Sequence, residues 1–132
     1  MTPQQLKART KSFAVRAFKL VDALPRSVSG QVVGRQFLRC ATSIGANYRA
    51  ACRAQSRAEF AAKLSIVVEE SDEALYWLEL IQETGMVKAE LLKDIINEAN
   101  ELVAILLSSR KTVKGTLRQA NRKSAIDNRQ SG

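Results

Sequence analysis

Apolar residues recur at spacings of three and four through four separate segments of this chain, and no segment alternates apolar and polar residues as a half-buried strand does. This spacing gathers the apolar side chains of each segment on one face of an α-helix. Amphipathic helices joined by short loops bury those faces against one another in a bundle. The sequence therefore predicts an all-α fold, an antiparallel up-and-down four-helix bundle over residues 1–114.

Helix-capping residues and helix breakers mark the ends of these segments. A Ser or Thr followed three positions later by Glu or Gln is typical of a helix start, because the two residues cap each other's backbone N–H groups. Proline and glycine are typical beyond a helix end. The residues that fit these roles are Thr2 with Gln5, Ser56 with Glu59, Pro25 and Gly85.

The sequence after Lys114 loses the apolar periodicity and becomes rich in polar residues. A segment that cannot bury apolar surface commonly stays unfolded. We predict that residues 115–132 form a basic, disordered tail outside the bundle.

The chain lacks the residues that most enzymes use. It contains no histidine, which is the commonest general base and a usual zinc ligand. It also lacks a glycine-rich phosphate loop, a nucleophile motif and a metal-spaced cysteine cluster. Acidic residues crowd one stretch of the third helix, including Glu69 and Glu73, but a solvated or interfacial face explains them better than a metal site. We expect a protein that is not an enzyme, with no catalytic residue, no metal and no cofactor.

The apolar stretches are short and interrupted by charge, and the first residues lack the apolar core of a secretory signal. The two cysteines, Cys40 and Cys52, are about 18 Å apart along one predicted helix and cannot pair with each other. We therefore expect a soluble, cytoplasmic protein that does not contact a membrane.

Charge is divided into three blocks along the chain. Residues 1–57 hold eleven Lys and Arg against one acid, residues 58–109 hold three against eleven, and residues 110–132 hold seven against one. Basic and acidic helices gain ion pairs within one chain, or between copies in head-to-tail contacts that close into rings. The division favours self-association without excluding intramolecular pairing.

Five arginines project opposite the apolar seam of the second helix when residues are placed at about 100° intervals. The predicted ridge spans about 27 Å, long enough to face several phosphates of a nucleic acid. A surface helix that simply carries solvated arginines is the alternative. With three cations of the tail, the candidate nucleic-acid-binding residues are Arg35, Arg39, Arg49, Arg53, Arg57, Arg118, Arg122 and Lys123.

A second stripe on the third helix, partly apolar and partly acidic, lies just outside its core arc. Aromatic residues in such positions often anchor protein interfaces. Gly45 and Asn47 also predict a close helix approach, within the bundle or between subunits, with a kink as the alternative. The candidate interface residues are Ile66, Glu70, Glu73, Tyr76, Trp77 and Asn47. The alternative is that Trp77 covers the edge of its own bundle.

Two segments, "SIGANYRAACRAQSRAEFAAKL" and "EESDEALYWLELI", resemble a family of bacterial four-helix-bundle proteins first recognised as reading frames in intervening sequences of 23S ribosomal RNA genes. The resemblance covers roughly residues 10–112. Relatives commonly have Arg-Glu-Ala where this chain has Arg49-Ala50-Ala51, so any role of that acid is absent here.

This resemblance implies a small cytosolic bundle that assembles as a ring of five and has no established enzymatic activity. In architecture and charge the chain is also similar to the accessory proteins of diversity-generating retroelements, which are basic pentamers that bind nucleic acid and a reverse transcriptase. We therefore expect a homo-oligomer that binds the backbone of RNA or DNA. The alternative is a scaffold or chaperone-like adaptor that binds another protein, with its basic residues serving assembly.

Overall fold

The computed structural model describes residues 1–131, with side chains through Arg129. Within that range it contains no strand and four α-helices, which confirms the all-α prediction. They are α1 (Pro3–Asp22), α2 (Val28–Cys52), α3 (Arg57–Thr84) and α4 (Ala89–Ser131).

The helix ends follow the predicted capping residues closely. Thr2 Oγ1 accepts the N–H of Gln5 at 3.1 Å, and the Gln5 side chain accepts the N–H of Thr2 at 2.8 Å. Ser56 Oγ likewise accepts the N–H of Glu59 at 3.1 Å. The Glu59 carboxylate, however, accepts the N–H of Gln55 rather than that of Ser56, so this capping box is only half formed. Both predicted helix starts are nevertheless capped by the predicted hydroxyl groups.

Two further breakers lie where the sequence predicts them. Gly85 caps the end of α3 with a φ of 66°, a left-handed conformation that glycine adopts without steric cost. Pro25 lies in the connection between α1 and α2, and Ser27 caps the start of α2 by accepting the N–H of Gly30.

One core joins the four helices. Helices adjacent in sequence pack most extensively, whereas α1 and α4 share a smaller contact, and these contacts fit a four-helix bundle. Phe13 of α1 meets Phe37 of α2 edge to face, with ring centroids 6.3 Å apart. The largest fully buried side chains are Phe13, Phe37, Ile44, Leu64, Leu78, Ile81, Leu92, Leu102 and Leu106.

Arg9 links α1 to α4 across their small contact. Its guanidinium donates to both carboxylate oxygens of Glu98, at 2.8 Å from Nε and 2.6 Å from Nη2. It also pairs with Glu101 one turn further along α4. The salt bridges from Arg9 to Glu98 and Glu101 therefore link α1 to α4.

Gly45, in the middle of α2, lies against Thr10 of α1. A Cβ atom at Gly45 would lie 3.4 Å from the carbonyl oxygen of Thr10, which is ordinary van der Waals contact. The helix runs without interruption from Val28 to Cys52. The two helices approach closely here, but this spacing does not by itself require glycine.

The segment after Lys114 differs from the predicted disordered tail, because α4 continues as helix to Ser131. Residue 132, the last of the predicted tail, lies outside the described residues. The segment contains no proline, and it extends a helix that the bundle has already nucleated, so propagation adds one hydrogen bond per residue. Every residue from Arg118 to Arg129 is exposed. We call residues 115–131 the α4 extension; its separation from the bundle as a tail stays a prediction.

Candidate nucleic-acid and subunit interfaces

Arg39 lies in an ion-pair cluster between α2 and α3. Its Nη2 atom is 2.8 Å from Glu73 Oε1, and its Nη1 atom is 3.3 Å from Glu70 Oε2. Nη2 also lies 3.3 Å from the sulfur of Cys40. We call these four residues the Arg39 cluster. Arg39 is therefore paired within its own chain, and its predicted contact with nucleic acid stays a prediction.

The cluster also changes the interpretation of the acidic stripe on α3. Glu70 and Glu73 have a basic partner in their own chain and do not need one from a neighbouring subunit. Burial is the largest single influence on Glu73 and opposes its ionisation, but the hydrogen bond from Arg39 and the smaller contributions of Trp77, Cys40 and the Arg39 charge together outweigh burial, so the pKa of Glu73 lies below its ordinary value. The indole N–H of Trp77 contributes to this lowering without reaching good hydrogen-bond geometry, so its buried Nε1 has no full partner.

Three possible metal ligands lie together in the Arg39 cluster. The ligand atoms of Cys40, Glu70 and Glu73 lie within 4.8 Å of one another. However, burial of the thiol, reinforced by Glu73, raises the pKa of Cys40 to about 12, so the thiolate that would bind a metal is scarce near neutral pH. The Arg39 guanidinium already pairs with both carboxylates. This chemistry favours an ion-pair cluster over a metal centre.

The other four arginines of the predicted ridge are exposed. Arg35 and Arg49 lie on α2, Arg53 is the C-cap of α2, and Arg57 is the first residue of α3. Within residues 1–131 none of the four forms a salt bridge with a carboxylate. The ridge is therefore interrupted at Arg39 and open on either side of it.

A basic groove between α1 and α2 is the site that sequence reasoning missed. Lys7 and Lys11 from α1 and Arg49 from α2 line a cleft of about 420 Å³, together with Gly45 and Ala46 of α2. Within the described part of the chain, no Asp or Glu lines this cleft. We call it the basic groove. The i, i+4 spacing of the two lysines beside the core face of α1 is the signal that points to it.

The predicted tail cations lie on the α4 extension. Arg118, Arg122 and Lys123 are exposed on helix rather than on a disordered segment. Their mutual geometry is therefore fixed by the helical repeat.

The predicted subunit surface divides into exposed and half-buried residues. Ile66 and Tyr76 are 43% and 54% exposed. Trp77 is half-buried and packs against the core of its own bundle, with its ring edge to face with Tyr76 at 5.4 Å. Asn47 uses its amide within α2, donating to the carbonyl of Ser43 at 2.9 Å. An interface at these residues stays a prediction, carried by Ile66 and Tyr76.

An acidic row on the outer side of α3 surrounds Tyr76. Its four members are exposed and, among the described residues, form no salt bridge. They lie on the same side of the α3 wheel as Tyr76, and their exposure is the observation that identifies them. The acidic row consists of Glu69, Asp72, Glu79 and Glu83.

Across residues 1–131, no helix combines the length and apolar character that crossing a bilayer requires.

Comparison with known proteins places these features in a family context. The family model described as 23S rRNA-intervening sequence protein matches residues 4–108. A crystal structure of a protein of unknown function from the S23 ribosomal protein family of Bacteroides thetaiotaomicron is similar, with a TM-score of 0.76 and 40% sequence identity. The alignment covers 84% of this chain and 99% of that one. No curated protein matches the chain significantly.

Proposed function

Because this chain belongs to the family of 23S rRNA-intervening sequence proteins, we propose that it is a non-enzymatic, cytoplasmic homo-oligomer that binds RNA or DNA through the backbone phosphates. The matched structural relative has no known function, so the argument depends on the surfaces of this chain. Ribosomal RNA genes appear in the family description, and nucleic acid is accordingly the first ligand class to test.

The basic groove is the observation that carries the proposal. Lys7, Lys11 and Arg49 meet in one cleft without an acidic lining residue among those described. Like charges held close together repel one another, and a phosphate backbone relieves that repulsion while releasing counterions. The exposed Arg53 continues the positive surface one turn beyond Arg49. Since these three cations form no salt bridge within residues 1–131, an external polyanion is the simplest ligand.

The helices are antiparallel in this proposal. The connections between successive helices are only a few residues long, which suits antiparallel neighbours.

The copies form a closed ring in this proposal, with five subunits as the family resemblance implies. Charge complementarity supports a head-to-tail contact, because among the described residues the acidic row of α3 forms no salt bridge, and neither do Lys7, Lys11 and Arg49 of α1 and α2. The exposed Ile66 and Tyr76 supply apolar area beside that row. Such contacts close into rings when the rotation between copies allows it.

The groove is tested by the salt dependence of binding to a labelled RNA hairpin, measured by fluorescence anisotropy. We expect the triple change Lys7→Gln, Lys11→Gln and Arg49→Gln to lower the slope of log affinity against log salt by roughly two to three units, because each lost phosphate contact contributes about 0.9. Arg39→Gln is the matched control: it removes a cation from the same helix, but one already paired with Glu70 and Glu73. Equal slopes for the parent and the triple variant would refute the groove.

A protein-binding scaffold is the second candidate function, and the exposed acidic row around Tyr76 favours it. In that case the same row docks a basic segment of another protein. A stable ring that ignores RNA and DNA even at low salt would support this alternative.

A further inference from the structure

The last turns of α4, from Lys111 into the α4 extension, carry a line of cations that only their helical conformation creates. Residues 118–129 are exposed throughout and lie outside the core. With Leu117 at zero on the wheel, the cations at five positions fall within an arc of about 80°. We call this set the arm stripe, and it consists of Lys111, Lys114, Arg118, Arg122 and Arg129.

The rest of the helical surface lacks this concentration of charge. Lys123 lies about 100° beyond the edge of the arm stripe. The single acid of the segment, Asp127, lies further round on the side away from the stripe, and no acid faces the stripe from within the extension. The stripe is therefore positive along its whole length of about 27 Å.

We propose that the α4 extension is a basic arm whose stripe lies along the phosphodiester backbone of a nucleic-acid duplex. The inference deepens the function proposed above and rests on it. It assigns the main contact to a face of one helix, rather than to the total charge of a flexible tail.

Helix energetics supports a polyanionic ligand for this face. Lys114, Arg118 and Arg122 are spaced i, i+4 and i, i+8, and like charges four residues apart destabilise an isolated helix. No acid at the intervening positions compensates them. A row of phosphates neutralises these cations and favours the helical state. An acidic protein segment would supply fewer, more widely spaced charges than a duplex, which carries one negative charge per about 1.7 Å of its axis.

A charge-conserving exchange of neighbours tests the stripe. The double change Arg118→Gln and Gln119→Arg keeps the composition and net charge but moves one cation by about 100°, off the stripe. Binding is measured by anisotropy on an RNA hairpin and on a DNA hairpin of the same sequence at about 50 mM salt. We expect the exchange to weaken binding about tenfold, the value of one phosphate contact at that salt. The hairpin on which the loss appears identifies the nucleic acid.

Two single variants provide a matched control. Arg122→Gln removes a cation from the stripe, whereas Lys123→Gln removes its immediate neighbour from another face. The first is expected to lose affinity about tenfold, and the second less than about twofold. Circular dichroism of each variant verifies that the helix content equals that of the parent.

Several outcomes would overturn the inference. Parent-like binding by the exchange variant would mean that the extension acts only through its total charge. A lower assembly mass with unchanged affinity would make the stripe a subunit contact. If the parent itself bound neither hairpin, both the proposed function and the arm would be wrong. If the parent bound a hairpin and the exchange variant bound it equally well, only the arm would be wrong and the proposed function would remain.

Discussion

At the scale of single residues, Arg9 and Glu98 hold α1 against α4, the least extensive contact between neighbouring helices. We expect Glu98→Gln to lower the free energy of unfolding at pH 7 by about 1 kcal/mol, since a partly exposed charge pair contributes little more than that. Urea denaturation measures the change. Asp94→Asn is the control, because Asp94 lies on the same helix, is exposed, is outside the acidic row and forms no salt bridge within residues 1–131.

The same pair predicts a pH dependence. The hydrogen bond from Arg9 lowers the pKa of Glu98 below its ordinary 4.5. A carboxylate with a depressed pKa contributes stability above the unfolded value, and this stability is lost as pH falls through the folded value. The difference between the parent and Glu98→Gln should therefore shrink as pH falls below 4.5. A difference that stayed constant down to about pH 2.5 would show that the charge of Glu98 is not what stabilises the contact.

Arg39 illustrates what a helical wheel omits at this scale. A wheel gives the direction of the Cα–Cβ bond, and by that measure Arg39 points outward with Arg35 and Arg53. The arginine side chain is long enough to turn toward α3 and reach Glu70 and Glu73, which only the packing of the two helices determines. Lys7 and Lys11 were missed for the complementary reason, because their cleft exists only once α1 and α2 are packed.

At the scale of elements, the turn into α2 depends on a close backbone approach. A Cβ atom at Gly30 would lie 2.0 Å from the carbonyl oxygen of Pro25, closer than any real contact. We expect Gly30→Ala to lower the free energy of unfolding by about 2 kcal/mol, because the overlap is with backbone and forces the turn to shift. Thermal and urea unfolding measure the loss.

Gly115 provides the control for that substitution. A Cβ atom there meets nothing within 4 Å, and the residue lies inside α4. Gly115→Ala should leave unfolding of the bundle unchanged and raise the helical signal in circular dichroism, since alanine favours helix over glycine by about 1 kcal/mol. Equal stability losses in the two variants would contradict the close approach at Gly30.

Most of the element boundaries are readable from the sequence because caps and apolar faces are local properties. Thr2, Ser56 and Gly85 perform their predicted roles within a few residues of chain. The helical conformation of the α4 extension was not predicted, because the segment has no apolar face and a segment without one was expected to be disordered. A helix already nucleated by the bundle continues until something interrupts it, and no proline does so here.

At the scale of the whole molecule, charge is separated between surfaces. Within residues 1–131, the cations of the basic groove and arm stripe and the acids of the acidic row form no salt bridge. The sequence blocks predict this separation and leave open whether acids such as Glu70 and Glu73 pair within the chain or with a neighbouring copy. The structure pairs those two acids internally, and within residues 1–131 the outer row forms no salt bridge. Oligomerisation and nucleic-acid binding thus have separate surfaces in this account.

Light scattering coupled to size exclusion tests the central claim most directly. The parent protein is run alone and with a short RNA hairpin, at about 50 mM and about 200 mM salt, a range over which backbone binding weakens steeply. We expect a particle of about 73 kDa, five copies of the 14.6 kDa chain, that carries RNA at the lower salt and releases it at the higher. A monomer, or a ring that takes up no RNA at either salt, would contradict it.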